Sequence, residues 1–204
     1  MNQAAAKPPR KERKENAERR RRQLLDAARM SILQHGLAKT TLATVADAAG
    51  LSQGVAVFYF KSKGGLLTAV LRDLYQSYEV SWIRALAMAG EDANDRLDAL
   101  VAADFSLEAC GPKVLPLWFA FWGELRSTAD YAAVAQEFDA RRMDAVAQVW
   151  SALMPQDEAT LMAEWMDTLT NGYWQRLHLS PDSFNRHDAR TATQECLARL
   201  RAGR

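Results

Sequence analysis

Two sets of side chains in this sequence are of types and spacings that could do chemistry. Residues 50–63, GLSQGVAVFYFKSK, set one long amide, Gln53, among small and apolar residues and end on a hydroxyl and two ammonium groups, Tyr59, Lys61 and Lys63. A glutamine amide both donates and accepts, as the edge of an adenine requires; Val55 and Val57 suit thymine methyls, and hydroxyl and ammonium groups suit phosphates. The second set is aromatic. Five of the six tryptophans, Trp118, Trp122, Trp150, Trp165 and Trp174, lie in the second half of the chain. Trp118, Phe121 and Trp122 fall on one helix face, and so do Asp167, Asn171 and Trp174, spaced by four and three residues. Ring faces grouped in this way attract an organic cation, each desolvated contact being worth about 2 kcal/mol, and Asp167 and Asp104 are candidates to add negative charge. Aromatic residues at helical spacing also build cores. Trp150 is read as core, and Trp165, half a turn out of phase with Trp174, as core or as part of an outer contact surface. Outside such a site, Asp104 reads as a solvated charge.

The first set can act only if its backbone is helical. The run VAVFYF is rich in strand-favouring residues, but nothing else in the chain reads as a strand. Its backbone groups would stay unpaired, at a cost of order several kcal/mol if buried. As a helix over about 53–60 it buries Ala56 and Phe60, one turn apart, with Phe58, and turns Gln53, Val57 and Tyr59 outward. Before it, Thr41 is placed to N-cap a two-turn helix with Leu42, Val45, Ala46 and Ala49 on its apolar face and Gly50 as its stop. Two short helices joined by a tight turn make a helix-turn-helix, whose second helix enters the major groove by its N-terminal end. Ser52 can cap that helix, and Gly54 permits close approach to the groove floor.

The whole chain reads as all-α. About nine helices are predicted: near 16–34, 41–49, 53–60, 63–88, 92–109, 114–127, 130–153, 157–178 and 187–201. Residues 1–15, basic and proline-containing, read as a disordered arm, either a solubilising tail or a segment that follows a nucleic-acid backbone. Residues 16–62 form the expected reader domain, and residues 63–204 a larger helical domain for ligand binding and dimerisation. Charge follows this division. Residues 1–65 hold 13 Lys and Arg against 5 Asp and Glu, while the remainder holds 13 against 20. The N-terminal third therefore wants a polyanion, nucleic acid or an anionic membrane surface. Cys110 and Cys196 lie far apart, without metal-ligand spacing, and read as buried thiols. No apolar run is long enough to span a bilayer and the N-terminus is polar, so a cytoplasmic location is expected.

The segment GLAKTTLATVADAAGLSQGVAVFYFKSKGGLLTAVL, residues 36–71, resembles the DNA-binding domain of the TetR family of bacterial transcriptional regulators. The match rests on Gly36, Thr40, Thr41, Val45, Ala46, Ala49, Gly50, Ser52, Gly54, Tyr59, Phe60, Lys63, Leu66 and Leu67. It implies a homodimeric repressor of double-stranded operator DNA, with Thr41, Ser52, Gln53, Gly54, Val55, Val57, Tyr59, Lys61 and Lys63 as expected contacts. Val57 departs from the tyrosine common in the family. More narrowly, LWFAFW and NGYWQR, about 50 residues apart, resemble the ligand-binding half of the BetI-type group, which responds to choline. That likeness implies a small-molecule effector held by Trp118, Phe121, Trp122, Asp104, Asp167, Asn171 and Trp174. The group carries an acidic residue where this chain has Asn171, so another amine or an uncharged effector is the alternative. The last two helices, with Leu161, Leu169, Tyr173, Leu197 and Leu200, are the expected dimer surface.

His35, His178 and His187 sit apart, with no metalloprotease, nucleophile-elbow or phosphate-loop motif. No catalytic residue, metal ligand or cofactor is assigned. A basic membrane-surface module is the rival reading of the N-terminal charge, although the ordered motif after it has no need of lipid.

Replacing Gln53 with Ala should lower discrimination between operator and unrelated DNA by about 1 to 3 kcal/mol. Fluorescence anisotropy titrations on both DNAs measure this; equal losses on the two would remove Gln53 from the base-reading role.

Overall fold

The computed structural model describes residues 10–202, among which there are ten helices and no strand. Contacts divide the chain between Val70 and Leu71 into two compact units.

The first unit begins with α1 (Arg10–Lys39), whose helical path is broken at Gly36 (φ 77°, ψ 170°), a conformation open to glycine because it lacks a Cβ. Leu24, Leu25, Ala28 and Ile32 form its buried face. Residues 10–15, expected in an irregular arm, are helical; residues 1–9 of that arm lie outside the described residues. Thr40 pins the break: fully buried, its hydroxyl donates to the Gly36 carbonyl (3.0 Å) and pairs with the Ser31 hydroxyl (3.0 Å). Next, α2 (Leu42–Ala48) starts at a reciprocal cap. The Thr41 hydroxyl accepts from the Thr44 amide (3.1 Å) and the Thr44 hydroxyl accepts from the Thr41 amide (3.0 Å), satisfying two donors that a two-turn helix cannot pair internally.

After the turn at Gly50, α3 (Gln53–Phe60) buries Ala56 and Phe60 as the periodicity predicts. Phe58, expected inward, is 68% exposed, because two residues from Ala56 and two from Phe60 is the opposite side of so short a helix. Helix α4 (Lys63–Met88) follows immediately. The corner between them needs Gly65, where a Cβ would stand 2.2 Å from the Phe60 carbonyl oxygen. The first turns of α4, with buried Leu66, Leu67 and Val70, belong to the first unit, which therefore runs beyond the expected boundary at residue 62.

The second unit holds the rest of α4 and six further helices: α5 (Ala93–Asp104), α6 (Leu107–Cys110), α7 (Leu115–Trp122), α8 (Ala129–Trp150), α9 (Gln156–Leu179) and α10 (Arg186–Ala202). The helix expected over 92–109 is two helices, because Phe105 leaves the helical path and the Ser106 hydroxyl accepts from the Ala109 amide (3.1 Å), capping a new start. Helices α8 and α9 pack along each other; α5 and α10 pack against this pair, and α7 against α9. The core between them includes Leu97, Leu100, Val101, Phe121, Trp150 and Met166, all fully or almost fully buried. Trp150 is therefore core, as its spacing predicts, whereas Trp165 is 47% exposed. Cys110 is buried and its thiol is pushed up to about 12 by that burial; Cys196 is half-buried, and both are free thiols.

Candidate functional site

The outer face of α3 presents Gln53, Gly54, Val57 and Phe58, all exposed, with Val55 and Tyr59 half-buried beside them. Ser52 begins the helix in extended conformation, but its side chain makes no capping bond; the first turn is closed by its carbonyl, which accepts from the Val55 amide (3.0 Å). The hydroxyl expected as a cap is thus exposed next to Gln53. Thr41 is occupied by its reciprocal cap with Thr44. Lys61 folds back, donating to the Phe58 carbonyl (2.9 Å) with its ammonium 5.3 Å from the Phe58 ring centroid. Lys63 donates to the carbonyl of Ala38 (2.5 Å), tying the start of α4 to the end of α1. Each ammonium keeps two further N–H donors that a phosphate could use. Phe58 is the residue on this face that the sequence reading missed; together with Val57 it makes the face more apolar than expected.

In the second unit, helices α4, α7, α8 and α9 enclose a cavity of about 310 Å³. Of the seven residues expected to hold an effector, Trp118, Trp122, Asp167, Asn171 and Trp174 line it. Phe121 does not: it is fully buried behind the cavity, edge-on to Tyr131 at 5.3 Å. Asp104 does not line it either, and it is no solvated charge, being 1% exposed. Its Oδ1 accepts from Tyr78 Oη (2.7 Å) and Arg142 Nη2 (2.7 Å), its Oδ2 from Thr170 Oγ1 (3.3 Å), and its backbone carbonyl from Trp174 Nε1 (2.9 Å). The carboxylate therefore organises the wall from behind.

The residues that complete the cavity, Tyr75, Tyr78, Leu125, Asp139, Arg142 and Thr170, come mostly from α4 and α8. Trp118, Trp122 and Trp174 stand about equally far apart, 5.9 to 6.2 Å between centroids, in planes within 12° to 32° of one another. The two tyrosines cross them. Tyr75 meets Trp118 at 77°, and Tyr78 meets Trp118 at 78° and Trp174 at 67°. Near-parallel indoles met by near-perpendicular phenols form a box whose walls present ring faces from more than one direction. Trp118 is fixed by its Nε1, which donates to the Ala109 carbonyl (3.0 Å).

Two carboxyls add charge to this box. Asp139 and Asp167 are exposed in part, yet protein crowds the side that lines the cavity. Burial on that side and the neighbouring Asp167 push Asp139 up to about 6, while a hydrogen bond with Tyr75 restrains the rise. Asp167 is likewise raised, by burial and then by the charge of Asp104, against the lowering effects of Arg142 and of the Asn171 amide, which donates to Asp167 Oδ2 (2.9 Å). Asn171 thus orients a carboxylate rather than supplying one, and Asp139 brings negative charge from another helix. Burial works against the charge of Arg142, but Asp104 and Tyr78 outweigh it and hold the guanidinium ionised. Burial raises both tyrosines well above the ordinary phenol range, so both hydroxyls are neutral. Among the described residues, no group of three or more His, Cys, Asp or Glu could hold a metal ion, and no helix is long and apolar enough to cross a membrane.

The outer surface of α9 and α10 carries an apolar groove of about 480 Å³ lined by Trp165, Leu169, Tyr173, Leu197 and Leu200 among others, with exposed Leu161 on the same helix. Leu197 is 1% exposed and forms the groove's floor.

Comparison with known proteins follows the two units. The model for bacterial regulatory proteins of the tetR family matches residues 24–70, and the model for the C-terminal part of BetI-type transcriptional repressors matches residues 93–202. The chain is 37% identical over 171 residues to the HTH-type transcriptional regulator BetI of Paraburkholderia phytofirmans, covering 81% of this chain and 85% of that one. Among solved structures, a transcriptional regulator of Pseudomonas aeruginosa superposes with a TM-score of 0.82 at 24% identity, over 91% of this chain and 92% of that one. A transcriptional regulator of Saccharomonospora viridis, solved in complex with choline, superposes with a TM-score of 0.75 at 18% identity, over 89% and 96% of the two chains.

The raised Asp139 carboxyl fixes the sign of a pH effect. A carboxyl that holds its proton more tightly folded than unfolded adds stability below its unfolded value, and that contribution is lost as pH rises through about 6. Asp139→Asn should therefore raise the thermal midpoint of the ligand-free protein at pH 7 and leave a smaller difference from wild type near pH 4. A variant no more stable than wild type at pH 7 would show that Asp139 is not strained in the empty box.

Proposed function

We propose, from the premise that this chain belongs to the TetR family of bacterial transcriptional regulators and carries a BetI-type C-terminal domain, that it is an operator-binding repressor released by an organic cation of the choline type. The observation that carries this reading is the box itself: three indoles and two neutral phenols around a cavity that also bears two carboxyls with raised affinity for protons. Such an empty site is short of positive charge. A quaternary ammonium would meet ring faces on several sides and relieve the repulsion between Asp139 and Asp167, without needing the donors that a protonated amine must have paired. An uncharged effector would leave those carboxyls as they are. The complex of choline with the Saccharomonospora viridis regulator is consistent with this choice of ligand.

An effector changes DNA affinity only if it binds one conformation better than another. Helix α4 carries Lys63 at its start and Tyr75 and Tyr78 about 18 and 22 Å further along, at 1.5 Å per residue. Closing the tyrosines on a cation would tilt this helix. In a dimer formed through the apolar groove of α9 and α10, with Leu161 and Trp165 facing the second copy, the tilt changes the separation of the two α3 helices. That separation must be near 34 Å to match one turn of DNA.

Choline should raise the thermal midpoint of the protein and quench its tryptophan fluorescence, whereas its uncharged tert-butyl analogue should bind at least tenfold more weakly. Trp122→Ala, which removes a half-exposed wall of the box, should weaken choline binding by about 30-fold, the equivalent of about 2 kcal/mol. Equal binding of choline and the uncharged analogue would contradict the cation reading while leaving operator binding untouched.

A further inference from the structure

The C-terminal unit holds a second cavity whose chemistry is the reverse of the box. It measures about 430 Å³, within the range of about 300–1,000 Å³ usual for small-molecule sites, and lies where α6, α7, the end of α9 and the start of α10 meet. Leu115, Leu177, Phe184 and three prolines, Pro112, Pro116 and Pro181, give it apolar walls. Each proline ring fixes its own backbone φ, which stiffens those walls. Phe184 is held by the Arg176 guanidinium, 4.0 Å from its ring centroid, and by Tyr173, stacked on it at 5.5 Å. Among the described residues, Arg186 is the one Lys or Arg that lines this cavity, and no Asp or Glu lines it. Asp188, the acid nearest to Arg186 in the chain, is engaged by the Asn185 amide (2.8 Å). The half-buried Arg186 donates through Nη1 to the Phe105 carbonyl (2.9 Å), a neutral acceptor, and a guanidinium has further N–H donors for a ligand. Burial keeps the Cys110 thiol, also in the lining, neutral despite this guanidinium, so no thiolate cancels the charge.

We propose that this cavity is a second small-molecule site, one that takes an apolar carboxylate, with the carboxylate on Arg186 and the hydrocarbon body between the prolines, Leu177 and Phe184. A guanidinium meets a carboxylate through paired N–H donors, and the bond strengthens where protein replaces water around it. A wholly apolar molecule would cover the guanidinium without giving it an acceptor, and a cation would be repelled. His178, whose ring stacks on Phe119 at 4.4 Å, lines the same cavity and can offer an imidazole N–H. The box makes the opposite selection, since Asp139 and Asp167 bring negative charge to it. The two sites nevertheless share α7: Leu115 lines the second cavity, and Trp118 and Trp122 line the box. The proposal stands whichever molecule occupies the box.

The test is calorimetric titration of the full chain with octanoate, the apolar carboxylate, and with octanol, its uncharged counterpart. Octanoate should bind the wild-type protein about tenfold or more tightly than octanol, and Arg186→Gln should remove that advantage. Pro112→Glu, at an exposed position on the rim, keeps Arg186 and its bond to Phe105; it should weaken octanoate several-fold and leave octanol unchanged. Asp167→Asn, which removes a charge from the box, should leave octanoate binding as it is. Absence of octanoate binding to the wild-type protein overturns the proposal, as does octanol binding equally well. Octanoate affinity unchanged in folded Arg186→Gln and in Pro112→Glu would place the molecule elsewhere and overturn it. Tighter octanoate binding in Asp167→Asn would place it in the box, with the same consequence.

Discussion

One buried carboxylate holds the walls of the C-terminal unit in place. Asp104, at the end of α5, receives Tyr78 from α4, Arg142 from α8 and Thr170 from α9, and its carbonyl receives Trp174. Each bond is buried or nearly so, and the ion pair with Arg142 is 2.7 Å long with both side chains less than a tenth exposed. Breaking such a pair leaves a charge stranded away from water, at a cost of about 3–5 kcal/mol. Exposed pairs between α4 and α8, Arg72 with Glu137 and Arg141 with Glu79, add contact there with much less energy at stake. What Asp104 secures is geometry: the Tyr78 and Trp174 rings, which line the cavity, are oriented by a group that does not line it.

That arrangement separates two roles that carboxylates share in this unit. Asp104 has its charge met by Arg142 and its acceptors occupied, so it contributes rigidity. Asp139 and Asp167 face the cavity, and the raised Asp139 carboxyl means that the empty site resists full ionisation. In the proposed mechanism, an arriving cation turns that resistance into binding energy, and the tyrosines of α4 register its arrival. The same helix begins at Lys63, whose ammonium is already tied to the end of α1. The proposed mechanism asks this one helix to carry a small change at the box toward its start, about 22 Å from Tyr78 to Lys63 at 1.5 Å per residue.

The ends of α2, α3 and α4 were legible because local chemistry sets them. The Thr41 cap, the turn at Gly50 and the bounds of α3 and α4 follow from residues within a few positions of each end. Three of the box's indoles could be read from spacing alone, since Trp118, Trp122 and Trp174 share faces with one another or with Asn171. Its other walls could not. Tyr75 and Tyr78 look like part of the apolar stripe of α4, and Asp139 and Arg142 look like ordinary charges on α8, until tertiary packing brings four helices together. Asp104 was misread for the same reason, its partners lying 26, 38 and 66 residues away. Phe58 failed differently: its hydrophobicity argued for burial, whereas its phase against Ala56 and Phe60 argued for exposure, and phase decided.

Box and reader are proposed to be two ends of one equilibrium, so coupling between them must act in both directions. The most direct test is to measure the affinity of the full-length protein for choline by calorimetry, with and without saturating operator DNA, and to compare the ratio with the factor by which saturating choline weakens operator binding. The account predicts that operator-bound protein binds choline more weakly, by the same factor. A choline affinity unchanged by operator would contradict it.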